Sequence, residues 1–225
     1  MTMALTVLKN SNQNKEQLKI ISDRAYYIVI TATLFFGFAV NAAEVWFLTD
    51  FFLTWNPSVF YIVYLITAVA GIVLNTFSKK PVISFIGYCL VILPLGAALT
   101  LIVPYYSMNV VRSAFLVTAL LTGAFILLAI LYPKIFYSMW RVLSISLSIA
   151  LLWMIINMFT SFAMTSFVWV DWLVVLIFCC YIGFDISFAK SKTKTLDNAI
   201  DSACGLYLDI INLFVRLLII FGRHD

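Results

Sequence analysis

Charge is scarce in this chain: only 11% of its 225 residues are Asp, Glu, Lys or Arg, while 64% are hydrophobic and mean hydropathy is +1.07. A soluble domain of this size needs a surface roughly a quarter to a third charged, so a water-soluble fold is excluded. Histidine occurs once, at His224 near the end of the chain, and the four cysteines (Cys89, Cys179, Cys180, Cys204) all fall in apolar stretches without metal-ligand spacing. Zinc sites and a disulfide framework are therefore poor readings, and the cysteines read as small packing residues. Repeats, low-complexity tracts and interdomain linkers are also missing. A cleavable signal peptide is not expected either, because residues 1–24 are mostly polar and the first apolar run is long enough to span.

What the chain has instead is uninterrupted apolar length. Charge-free runs cover 25–43, 51–78, 81–111, 113–133 and 142–170, each at or above the ~18 residues expected of a spanning helix. Helices are predicted near 25–49, 57–77, 81–104, 110–132 and 142–163. Pro57 and Pro81 suit first-turn positions, and Pro133 closes the fourth span. Pro94, close to Gly96, should kink the third. Two further apolar stretches, 167–189 and 198–222, carry charges within them. The expected fold is all-α: a polytopic membrane protein of seven transmembrane helices, with a tail at 1–24 and one membrane domain at 25–225.

Loop charges then predict orientation. Lys9, Lys15, Lys19, Arg24, Lys79, Lys80, Lys134, Arg141, Lys190, Lys192 and Lys194 lie on one side of this topology, and Arg112, Arg216 and Arg223 on the other. Such a bias places the N-terminus in the cytoplasm and the lysine-rich loops with it. Seven crossings put the C-terminus outside; a six-span version with a re-entrant last helix would return His224 and Asp225 to the cytoplasm. The net charge of +4 is thus a topology signal, and no nucleic-acid partner is expected.

The informative residues are those the bilayer should reject. A carboxylate at mid-membrane costs about 2.5–3.5 kcal/mol on insertion scales. Asp185 and Asp209 are 24 residues apart with Asp197 midway. A tight antiparallel hairpin with its tip near Asp197 places both about 18 Å from the tip, able to face each other. Two carboxylates in a low dielectric share one proton, and such a pair senses pH or transiently holds a divalent cation when both ionise. The bland alternative is two unrelated aspartates reaching for headgroups or loop lysines.

The last helix adds a polar stripe. Ser202, Gly205, Asn212 and Arg216 all fall within about 60° of Asp209 on a helical projection. A helix like this lines a cavity inside a bundle, or else forms an interhelical packing stripe. Asp171 lies on the face of Asp185, about 21 Å away along the helix, and suits the outer end of one path. Glu44 sits near the outer end of the first helix, where Arg112 could neutralise it; snorkelling to the interface is the plain reading for these acids. Arg216 is too far along its helix to meet Asp209, about 10.5 Å of rise, so its expected partner is Glu44 or Asp171. Asn212, Arg216, Asp171 and Glu44 are accordingly the candidates for an ion pathway or gate.

The segment YIGFDISFAKSKTKTLDNAIDSACGLYLDIINLFVRLLIIFG, above all LYLDIINLF at 206–214 with its aspartate 24 residues after the first, resembles the signature end of the Bax-inhibitor (transmembrane BAX-inhibitor-motif) family. The resemblance implies a seven-helix fold with the last helix central. It also implies that Asp185 and Asp209 correspond to the family's paired aspartates, which sense pH and gate a calcium leak. Departures stand beside it. Ser187 and Phe188 occupy the place of an Asn/Gln pair in bacterial members. Helix two carries no acid, only Thr67 nearby, and Lys79 or Lys80 stands for an arginine at its inner end. Glu44 is the candidate to supply the acid that helix two lacks.

Three functions remain in play. The leading one is a pH-sensitive cation (calcium) leak channel of a bacterial cytoplasmic membrane, without enzymatic activity or cofactor, whose partners are the lipid bilayer, calcium and protons. The second is a membrane-embedded regulator of a protease or a stress- or death-pathway protein. The third, an intramembrane aspartyl protease, needs a GxGD-type motif and a later Pro-Ala-Leu helix. Here Gly205, Leu206, Tyr207 and Leu208 precede Asp209, and no further helix is expected. A retinal pigment is excluded because the last helix has no lysine.

Overall fold

Each apolar run becomes a helix where a capping residue or proline starts it. In the computed structural model, which describes residues 20–149 and 168–223, α1 (Asp23–Phe47) begins behind Ser22, whose hydroxyl accepts from the Ala25 amide at 3.2 Å. A short α2 (Thr49–Leu53) follows, then α3 (Pro57–Phe77), capped by Asn56, and α4 (Pro81–Ile102), each with proline in its first turn. The prolines are tolerated there because the first amides of a helix lack intrahelical acceptors anyway. A 3-10 turn, Val103–Tyr105, leads to α5 (Met108–Leu131), capped by Ser107. Then come α6 (Pro133–Ser138), α7 (Trp140–Ile149), α8 (Val168–Ser191) and α9 (Leu196–Gly222).

Six of these, α1, α3, α4 extended to Tyr105, α5, α8 and α9, are long and apolar enough to cross a membrane; α7 is a shorter apolar helix. The expected fifth span, 142–163, lies partly outside the described residues, as do the tail 1–19, His224 and Asp225. Among the described residues the secondary structure is helical, with one isolated antiparallel bridge between Ile20 and Thr195. Pro94 sits inside α4, which continues through it. The short helices α2 and α6 were not expected; both are loop segments that close one or two helical turns before the next span.

Helix α9 is the hub, packing against α1, α3, α4, α5 and α8. Its Leu206, Tyr207, Leu213, Leu217 and Leu218 are almost wholly buried. Around it the outer helices expose Phe35, Tyr61, Leu65, Phe77, Leu120 and Trp169. An apolar surface of that extent is intolerable in water and suits lipid.

Polar contacts lock the hub at the lysine-rich end. The Tyr26 hydroxyl lies 3.1 Å from Ser202 Oγ and donates to the Asn198 carbonyl at 3.3 Å. Lys194 Nζ donates to the carbonyls of Ala189 and Lys190, both at 2.8 Å, capping the end of α8, and stands 4.6 Å over the Tyr26 ring. Ser84 of α4 donates to Asp197 Oδ1 at 2.6 Å, with both residues buried. Ser84→Ala leaves that oxygen unpaired and should lower unfolding stability in detergent by about 1–3 kcal/mol. An unchanged melting temperature would count against this contact as a lock.

Candidate functional site

The aspartates sit on two helices joined by a four-residue turn, 192–195. Helix α8 ends at Ser191 and α9 starts at Leu196 behind Thr195, whose hydroxyl accepts from the Asn198 amide at 3.1 Å. The tip is therefore centred nearer Thr195 than Asp197, which already belongs to the first turn of α9 and is held by Ser84. This corrects the expected register. Asp185 lies opposite Gly205, where a β-carbon would overlap its Oδ2, and Asp209 follows one helical turn on, about 6 Å by rise.

Asp209 nonetheless faces α8. Gly205 on one side of it meets Asp185, and Arg216 on the other meets Asp171. Both partners belong to α8, so the α9 face between them looks toward that helix. Asp209 is 8% exposed, and its Oδ2 has no hydrogen-bond partner among the described residues.

The opposite end of the α8–α9 interface carries an ion-pair cluster. Asp171, 3% exposed, lies 3.1 Å from Arg216 Nη1 and 2.6 Å from Arg223 Nη2. Of the two acids expected for Arg216, the structure supplies Asp171 and leaves Glu44 elsewhere. Arg223 was not anticipated as a second partner; it is one heptad beyond Arg216, the same helix face, and that spacing was the available signal. Because Arg223 also reaches Asp171, Arg216→Gln should destabilise less than Asp171→Asn, which removes the carboxylate that both guanidinium groups share; removing one member of a buried pair costs about 3–5 kcal/mol. Thermal unfolding of the two variants in detergent gives the order, and the reverse order would show that Arg223 does not share the load.

The remaining candidates are apart from the pair. Asn212 donates to the Leu208 carbonyl of its own helix at 2.7 Å. Glu44, 6% exposed, lies with Asn41 over Gly96 of α4, and its Oε2 has no hydrogen-bond partner among the described residues. Two buried tyrosines hold the same helices together. Tyr207, fully buried on α9, hydrogen-bonds the Asn41 side chain of α1, while the hydroxyl of Tyr88, equally buried, donates to the Thr33 carbonyl at 2.9 Å. Tyrosine in an apolar span carried no pattern that separated these from interfacial aromatics. Among the described residues no three His, Cys, Asp or Glu side chains gather for a metal ion.

Comparison with known proteins agrees with this architecture. The chain is 30% identical over 136 residues to uncharacterized membrane proteins of Streptococcus pyogenes serotypes M3, M6 and M1, a match covering 58% of this chain and 59% of each relative. The aligned region thus spans about three fifths of the length of those relatives. A family model described as "Inhibitor of apoptosis-promoting Bax1" matches residues 20–225. The chain is a multi-pass membrane protein that belongs to this Bax-inhibitor family.

Proposed function

We propose that the chain is a pH-sensitive cation leak channel, with calcium as the transported ion and Asp185 and Asp209 as its proton-sharing gate. The observation that carries the reading is the α8–α9 interface, where Asp185 is seated on Gly205 and Asp209 points a buried, unpartnered carboxylate oxygen one turn away. Two carboxylates so placed share a proton; losing it adds repulsion between the two helices, and gaining it removes that force. The helices respond together because α9 is packed against most of the bundle. At the far end Asp171, Arg216 and Arg223 tie the same two helices, so the ion-pair cluster closes the outer mouth while the aspartate pair sets the middle. Calcium favours six to eight oxygen ligands, and a pair alone offers few, which suits passage rather than storage.

The orientation belongs to the same proposal: lysine-rich loops in the cytoplasm of a bacterial cell, following the positive-inside bias. In a cysteine-free background, single cysteines at Lys79, Lys134 and Lys192 should be shielded from an impermeant reagent in intact cells, and one at Trp55 labelled. Outside labelling at position 192 would overturn the arrangement. The functional test is calcium flux into proteoliposomes as a function of pH, wild type against Asp209→Asn. A pH-dependent leak in the wild type is expected, and a flat wild-type profile would refute the gate.

A further inference from the structure

Glu44, whose buried Oε2 has no hydrogen-bond partner among the described residues, stands in surroundings unlike those of the pair. It lines a cavity of about 310 Å³ between α1, α3 and α4, at the end opposite the lysine-rich loops. The other walls include Phe52, Trp55, Phe60 and Tyr64. These rings form one continuous surface: Phe52 lies 5.7 Å from Trp55 and 6.1 Å from Phe60, which stacks on Tyr64 at 6.3 Å. A larger crevice of about 620 Å³ between α1, α4, α5 and α9 has no charged residue in its lining, so a carboxylate is not a general feature of cavities here.

We propose that the Glu44 cavity is a binding site for a small alkylated ammonium cation, with Glu44 as the counter-charge and the four aromatic rings as its walls. Burial leaves Glu44 6% exposed, and no Lys or Arg among the described residues lies within ion-pair distance. A buried carboxylate without a partner is costly, and an acyl chain in the cavity would leave it so. A calcium ion fits poorly, because it needs six to eight oxygens and the lining side chains offer only the Glu44 carboxylate and the Tyr64 and Thr67 hydroxyls. A primary ammonium would bring three N–H donors to a wall with few acceptors. Methylated nitrogen needs none, and its diffuse charge is the kind that aromatic faces attract.

The test uses the full chain purified in maltoside micelles and isothermal titration with tetramethylammonium chloride, then choline, at constant ionic strength. Both should bind saturably. The neutral isostere 3,3-dimethylbutan-1-ol should bind at least about tenfold more weakly, since it keeps the shape and loses the charge. Glu44→Gln, which preserves volume, should weaken choline by a similar factor, and Trp55→Leu several-fold. Nanodiscs separate two sources of the same chemistry. Retained tetramethylammonium binding in choline-lipid discs assigns the site to a soluble ammonium, and its loss there, but not in phosphatidylglycerol discs, assigns it to a lipid headgroup. Equal binding of the neutral isostere to the wild type overturns the proposal without any variant having to fold. So does an absence of saturable tetramethylammonium binding, or affinity unchanged by Glu44→Gln. None of these readouts depends on calcium flux.

Discussion

Asp209→Asn and Asp185→Asn should each remove most of the pH dependence of calcium flux, and the double variant should add little to either. The expectation follows from what repels what. Two unit charges one helical turn apart, about 6 Å, repel by about 3 kcal/mol at an effective dielectric of about 20. Acting on a two-state gate, that is roughly a hundredfold change in the open-to-closed ratio. Asparagine keeps the shape and withdraws one charge at every pH, so the remaining carboxyl has nothing left to repel. Residues acting as one unit are non-additive, which is why the double variant discriminates a pair from two independent sensors. The measurement is flux into proteoliposomes across pH for all four proteins at equal incorporation. If either single substitution left the profile intact, or the double summed the two singles, Asp185 and Asp209 would be titrating separately and the gate would lie elsewhere.

The bundle was legible because bilayer length and capping chemistry act locally. Pro57, Pro81 and the loop lysines mark ends that the helices observe within a few residues. Asp171 and Arg216 were legible as partners because an intramembrane guanidinium must find an acid, and helix phase restricted the choice. The hairpin register was not, since it depends on whether the chain turns at Thr195 or Asp197. The Thr195 cap and the Ser84 hydroxyl, 113 residues away from Asp197 in sequence, settle that jointly. Glu44 was visible as an acid but its surroundings were not. The aromatic wall is assembled from α2, the loop after it and α3, and only packing brings Phe52, Trp55, Phe60 and Tyr64 to one cavity. The fully buried tyrosines were hidden for the same reason, because a tyrosine in an apolar run reads alike whether it faces lipid or a carbonyl on another helix.

Gly87→Ala should destabilise the protein by at least about 2 kcal/mol, at the upper part of the range for overpacking, while Gly205→Ala should leave it folded and alter the gate. The difference lies in what the added methyl group would strike. At Gly87 it would stand 2.6 Å from the Asn75 amide nitrogen, 2.8 Å from the Gly71 carbonyl oxygen and 3.1 Å from the Asn75 Cα, all backbone atoms of α3. Reciprocally, a β-carbon at Gly71 would stand 2.7 Å from the Gly87 carbonyl oxygen. Two helices crossing backbone to backbone through small residues gain close packing and, here, the Asn75 side-chain donation to the Ser84 carbonyl at 3.1 Å beside the crossing. Backbone cannot step aside, so α3 and α4 must separate along their contact. At Gly205 the obstacle is the Asp185 carboxylate, the free end of a side chain, which can rotate away at small cost to the fold. Rotation takes it off α9 and changes its approach to Asp209. Thermal unfolding in detergent should therefore fall for Gly87→Ala and hold for Gly205→Ala, and the pH profile of flux should shift for Gly205→Ala. A Gly205→Ala protein with wild-type melting and a wild-type pH profile would mean that the seat of Asp185 on α9 has no part in gating.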